Sequence, residues 1–173
     1  GSKKSRIEWL GSTSDFRDYA ATRSAAWRGQ IKKVSLKQSE ILPAFIECHT
    51  HLLYAGSRAD EFEKRNRGDS YLDIARAGGG IQSTIAATAA ALANRENQIR
   101  DLEDAVLGRL RSLAKQGVTT VEIKTGYAGT IEDEMLHLNL LAKIQKRATV
   151  GEGLPRVVVT CLAAHSIPVG ETE

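Results

Sequence analysis

Aromatic residues are scarce in this chain: three Phe, four Tyr and two Trp among 173 residues. So few rings leave no stacking platform of the kind single-stranded nucleic acid needs. An excess of one charge is missing too. Lys and Arg number 24 against 21 Asp and Glu, a net charge of +3. Basic pairs such as Lys3-Lys4 and Lys32-Lys33 are too short to argue for a nucleic-acid partner. Cysteine is limited to Cys48 and Cys161, far apart and each in an apolar, strand-like run. That excludes a disulfide framework and predicts buried thiols in a reducing cytoplasm. No apolar run reaches membrane-spanning length, so no membrane partner is expected. No hydrophobic region follows Gly1-Ser2-Lys3-Lys4, so the start is not a signal peptide. Gly1-Ser2, with no initiating Met, reads as a cloning scar, and the chain as part of a longer gene product.

What is present is an ordinary globular composition, 42% apolar and 26% charged, long enough for one domain with a real core. Residues 1–40 carry weak signals. Ile7–Gly11 and the stretch holding Ile31, Val34 and Leu36 read as strands, and Phe16, Tyr19 and Ala20 as the face of a short helix. From Ile41 the pattern sharpens. The apolar run Ile41-Leu42-Pro43-Ala44-Phe45-Ile46 leads through Glu47-Cys48 to His49-Thr50-His51. Short helices are predicted from Ala59 to Arg67, closed by Gly68, and from Tyr71 to Arg76, capped by Ser70 and ended by Gly78-Gly79-Gly80. Longer helices follow over 81–91 and, with Asn94 as a candidate cap, over the Ile99, Leu102, Val106, Leu110, Leu113 stripe. The β-branched run Val118–Lys124 is a strand. Thr130 and Asp133 open a helix through Arg147, with Met135, Leu138, Leu141 and Ile144 on its apolar face. A last strand runs from Arg156 to Leu162.

Strands alternating with helices predict α/β architecture built from parallel βαβ units. His49, His51, Tyr127 and His165 all fall at or just past the carboxyl ends of successive strands. In a parallel sheet those ends share one edge, where such folds place their chemistry. A bare His-x-His pair is more often chance than a metal site. On a strand, though, residues i and i+2 point the same way, so both imidazoles could share one divalent metal. Arg58, one loop further on, could clamp a carboxylate, or could be a surface ion-pair partner of Asp60 and Glu61. Tyr127 could donate a hydrogen bond, and His165 could act as acid or base or bind a carbonyl. Taken singly, each has an equally ordinary structural reading.

One resemblance covers these features in order from about residue 41 to 168. Pro43–His51, Gly56-Ser57-Arg58, Glu61-Phe62, Tyr71, Ala77–Ile81, Gly117–Lys124, Gly126-Tyr127 and Ala164–Pro168 together resemble the imidazolonepropionase family of the amidohydrolase superfamily. The resemblance implies a (β/α)8 TIM barrel, of which this chain would hold the first three or so βα units. It also implies a remnant of a flanking β-sandwich in residues 1–40, with 41–173 as the amino-terminal part of the barrel. It implies hydrolysis of the ring amide of 4-imidazolone-5-propanoate to N-formimidoyl-L-glutamate in histidine degradation, using one divalent metal, zinc or iron. By position His49 and His51 would be metal ligands. Arg58, Tyr127, His165 and Tyr71 would contact substrate, Arg58 through its carboxylate. A homodimer is common in the family. The sequence departs from the family at Ala44, at Glu47 (usually Asp), at Thr125 and Ala128, and by a short insertion near 90–98. The remaining metal ligands and acid–base groups of the family lie on later strands. The expectation is therefore a fragment, inactive alone or completed by a second chain. Two alternatives stand beside it. One is another amidohydrolase acting on a cyclic amide or an aminated base. The other is a non-catalytic fragment that binds a partner through its open sheet edge.

Overall fold

The structure, a computed structural model, describes residues 6–93, 98–149 and 153–163. Contacts divide the chain into two units, Gly1–Leu42 and Pro43–Glu173. In the first unit, helix α1 spans Thr13–Ala21 and α2 spans Ala25–Gly29. Each is capped by a serine: Ser12 accepts from the Asp15 N–H and Ser24 from the Trp27 N–H. Trp9, Phe16, Tyr19 and Trp27 form a chain of ring contacts 5.2–6.2 Å apart. The predicted helix at 16–20 is α1. The predicted strands over 7–11 and 31–36 are not strands among the described residues. A strand needs a ladder partner for its N–H and C=O groups, and Ile7 and Leu10 stand exposed, 88% and 90%, without one.

The second unit is built on a sheet. Strand β1 spans Phe45–Thr50, β2 Val118–Lys124 and β3 Arg156–Thr160. They pair in the order β1-β2-β3, all parallel. The sheet does not close on itself among the described residues. Between β1 and β2 run α3 (Ala59–Asn66), α4 (Tyr71–Arg76), α5 (Ile81–Ala93) and α6 (Gln98–Lys115). Helix α7 (Ile131–Thr149) joins β2 to β3. The local signals worked where they were strongest: Ser70 caps α4, Thr130 accepts from the Asp133 N–H, and β2 has the predicted bounds. Asn94 and residues 150–152 lie outside the described residues. So does most of the insertion near 90–98.

The core lies where α6 and α7 cover one face of the sheet. Val121 and Ile123 of β2, Val157 of β3, Leu102, Val106, Leu107 and Leu110 of α6, and Leu141 and Ile144 of α7 are all buried in one cluster with Leu53. Each such side chain contributes about 1.5–3 kcal/mol of burial free energy. Glu103 of α6 is buried beside it and receives Lys143 Nζ at 2.6 Å and Arg147 Nη1 at 2.8 Å, which ties α6 to α7.

Two expectations need correction. The buried stripe of α7 is Glu134, His137, Leu140, Leu141 and Ile144, while Met135 is exposed. The predicted and observed stripes share Leu141 and Ile144, so periodicity could not choose between rotations less than one residue apart. Both cysteines are exposed, not buried. Cys48 lies on β1, which has no strand on its outer edge among the described residues and where Phe45 and Ile46 are also exposed. Cys161 lies just past β3, with its thiol 3.5 Å from Glu134 Oε1.

Candidate functional site

The carboxyl end of β1 is irregular, and that irregularity aims its histidines. Glu47 pairs with Val121 and Thr50 with Ile123, so three steps along β1 match two along β2. The extra residue makes a bulge over Cys48 and His49, and bulges turn side chains out of simple alternation. Glu47 Oε1 accepts the His49 N–H at 3.2 Å. Thr50 closes the bulge by donating its hydroxyl to the Glu122 carbonyl at 2.5 Å. The two imidazoles end with ring centroids 5.6 Å apart, His49 exposed and His51 half-buried.

Beside them stand aromatic rings. Tyr127, past the end of β2, packs on His51 with centroids 5.2 Å apart, and Tyr54 meets Tyr127 edge-on at 6.4 Å. Burial pushes the Tyr127 phenol above its ordinary pKa, with the Arg58 charge working against it. Tyr127 therefore stays a hydrogen-bond donor at neutral pH. Tyr54, Ala55, Gly56, Ser57, Arg58, Thr84 and Tyr127 line a cleft of about 220 Å³. Gly56 turns the chain there at φ +78, a conformation that favours glycine.

Arg58 enters this cleft already braced. Its Nε and Nη2 both donate to Glu61 Oε2 at 2.7 Å. Glu61 Oε1 accepts the Gly80 N–H at 2.9 Å and the Ser83 hydroxyl at 3.3 Å. The Arg58 hydrogen bond, against the opposing effect of burial, holds the Glu61 carboxyl below its ordinary pKa. Of the two readings of Arg58 from sequence, the ion pair is present, with Glu61, and the side chain also lines the cleft. Among the described residues its Nη1 makes no hydrogen bond or ion pair, which leaves the Nη1–Nη2 edge open to a ligand. The triple glycine fits the same bracing. A Cβ on Gly79 would lie 2.8 Å from Ile74 Cγ2 and 2.9 Å from Glu61 Oε1.

Sequence reasoning gave Tyr54 and Glu122 no role in the site, and Glu61 only that of a possible surface partner of Arg58. Glu122 Oε1 receives Lys124 Nζ at 2.8 Å and the Thr160 hydroxyl at 2.6 Å. Those hydrogen bonds, Lys124 first, hold its carboxyl below the ordinary range, and a charge on His49 adds to the effect. The available signal was the alternation of Glu122 and Lys124 with the buried Val121 and Ile123, which puts both polar groups on the face away from the helices. Tyr71 is exposed, and a Cβ on Gly80 would lie 3.8 Å from its hydroxyl. It does not line the cleft. His165 lies outside the described residues.

Two neutral imidazoles are suitable donors for zinc or ferrous iron. Among the described residues no third His, Cys, Asp or Glu joins them in a group that could hold a metal. The described residues therefore fit part of a coordination sphere. Also among the described residues, no helix is long and apolar enough to cross a membrane.

No family model matches the chain. Imidazolonepropionase of Aeromonas hydrophila is 49% identical over 134 residues, 77% of this chain and 30% of that protein. Imidazolonepropionase of Aeromonas salmonicida is 51% identical over 127 residues, 73% of this chain and 28% of that protein. Imidazolonepropionase of Bdellovibrio bacteriovorus is 41% identical over 166 residues, 96% of this chain and 35% of that protein. The chain spans about a third of the length of these curated relatives, and over most of its own length it is homologous to imidazolonepropionase.

Proposed function

We propose that the chain is the amino-terminal part of an imidazolonepropionase-like hydrolase, opening the ring amide of 4-imidazolone-5-propanoate to N-formimidoyl-L-glutamate in histidine degradation. The observation that carries this reading is the shared cleft: Arg58 and the Tyr54 and Tyr127 rings line one cavity, and Tyr127 packs on His51. A planar ring bearing a carboxylate tail matches flat aromatic walls with a cation beside them. The Nη1–Nη2 edge of Arg58 takes the propanoate, Tyr127 donates to the ring substituents, and His165 completes the contacts, while Tyr71 stands outside the cleft and reaches the substrate only if its side chain swings in. His165 also serves as an acid or base. His49 and His51 hold one divalent metal, zinc or iron, which when bound supplies a water of lowered pKa. Its remaining ligands come from residues further along the enzyme, in the same or a second chain. In this reading β1 to β3 are the first strands of a (β/α)8 barrel. Residues 1–40, which hold two helices and no strand among the described residues, stand where the family's flanking β-sandwich would begin, and the whole enzyme is a cytoplasmic homodimer.

The test joins this chain to the carboxyl-terminal part of a relative and assays ring opening. Arg58→Ala is expected to raise KM about 100-fold with kcat little changed, the cost of a lost charge-assisted contact. His49→Ala is expected to abolish turnover. An unchanged KM in Arg58→Ala removes the carboxylate assignment. Turnover retained in His49→Ala removes the metal.

A further inference from the structure

The cleft wall is held from behind by a residue that does not line it. Arg109, on α6, donates through Nη1 to the carbonyls of Leu52 at 2.6 Å and Tyr54 at 3.1 Å. Its guanidinium carbon also lies 3.6 Å from the centre of the Tyr54 ring. Arg109 has no carboxylate partner among the described residues. A permanently charged, planar donor is thus committed to one loop and one ring. The same loop is fixed from the other side by Thr88, which is fully buried on α5. The Thr88 hydroxyl accepts the Ala55 N–H at 3.1 Å and donates to the Thr84 carbonyl at 2.7 Å. The segment between β1 and Arg58 is therefore gripped at two carbonyls, one N–H and one ring face. From Tyr54 the contacts run to Tyr127 and then to His51.

We propose that Arg109 is a positioning residue for the ligand cleft: by holding the Tyr54 carbonyl and ring it sets the angle of Tyr127 beside His51. The inference rests on reading the Tyr54–Arg58–Tyr127 cleft as a ligand pocket. It concerns a residue that touches neither ligand nor metal. Arg109 makes no hydrogen bond or ring contact with Tyr127 among the described residues, so any effect on Tyr127 must pass through the loop it holds, by way of the Tyr54 ring or of Leu52 and its neighbour His51. A simple staple between α6 and the loop would stabilise the fold and leave the Tyr127 ring as it is. Lysine could keep the charge and reach the carbonyls, but it has no planar group to lie flat on the Tyr54 ring.

The test uses the 173-residue chain and three variants, Arg109→Met, Arg109→Lys and Tyr54→Leu. Aromatic-ring NMR reports Tyr127, amide exchange reports Ala55, and 3-(imidazol-4-yl)propanoate serves as the binding probe. Arg109→Met is expected to move the Tyr127 ring resonances, speed Ala55 exchange about tenfold as the loop opens locally, and weaken the probe about tenfold as the wall loses its alignment. Arg109→Lys should recover the exchange rate in part and the Tyr127 resonances hardly at all. Tyr54→Leu removes the relay with Arg109 in place and should move Tyr127 in the same way. If Arg109→Met fails to fold, Arg109→Lys decides the question, because Tyr54 touches the Tyr127 ring itself. Tyr127 resonances unchanged in Tyr54→Leu, or in a folded Arg109→Met, overturn the proposal. If the unaltered chain does not take the probe, the pocket reading fails, while the ring and exchange measurements still decide whether Arg109 orients Tyr127.

Discussion

The Arg58 corner of the cleft and the His49–His51 corner are built to different degrees. At Arg58, one carboxylate is shared by a guanidinium, a backbone N–H and a serine hydroxyl, and a glycine too crowded for a side chain packs against it. Every partner comes from the segment between β1 and the first turn of α5. At the histidines, the strand is bulged and on the outer edge of the sheet, His49 is exposed, and no third donor joins the pair among the described residues. The difference teaches that recognition and metal chemistry need not be completed by the same stretch of chain. A cation brace can be built within one stretch of chain, because Glu61 lies one helical turn from Arg58 and Gly80 and Ser83 follow within about two dozen residues. A metal sphere needs three or four donors at about 2 Å, which distant strands must bring together.

The largest expected effect breaks the comparison outright if it fails. After desalting, the 173-residue chain should hold far less than one zinc or iron per molecule by elemental analysis, since two imidazoles bind weakly and exchange readily. One tightly held metal per chain would mean that the histidine corner is as complete as the other. Next comes Gly79→Ala. The new methyl must displace Ile74 or the Glu61 carboxylate, at a cost of about 1–3 kcal/mol for overpacking. Loss of the Glu61 brace should weaken binding of a carboxylate probe about tenfold, as expected when a charge-assisted contact loses its geometry. Metal uptake should not change. Equal loss of both would show that the two corners are one unit.

How far the sequence could be read follows the same division. Caps, turns and strand ends were legible because their causes are local: Ser70 on Asp73, Thr130 on Asp133, and the β-branched run of β2. The strand-end positions of His49, His51 and Tyr127 followed from those, and the three side chains do come together. What was not legible depends on tertiary packing. The bulge that aims His49 is a register event between strands about seventy residues apart. Tyr54 gains its role from Arg109, which is remote in sequence. The α7 stripe was misread because burial of a histidine and a glutamate runs against composition.

That misread stripe supplies the smallest and most general prediction. His137 is 1% exposed, and neither ring nitrogen has a hydrogen-bond partner among the described residues. Burial pushes its pKa below the ordinary value, and the Glu134 and Asp133 carboxylates oppose the shift only in part. In the folded chain the ring is therefore neutral where the unfolded chain has begun to bind a proton. The unfolded state holds more protons below its own pKa of about 6.5, so stability should fall as pH drops through that value and level off below the depressed folded pKa. The slope from this one group cannot exceed about 1.4 kcal/mol per pH unit. His137→Leu removes both unmatched nitrogens and should flatten the profile between neutral pH and about pH 5. It should leave the Arg58 corner and probe binding at neutral pH unchanged. Denaturant unfolding at a series of pH values checks this. A variant that loses stability with acid as steeply as the parent would place the proton uptake elsewhere, and would make the buried imidazole a passive filler of the α7 face.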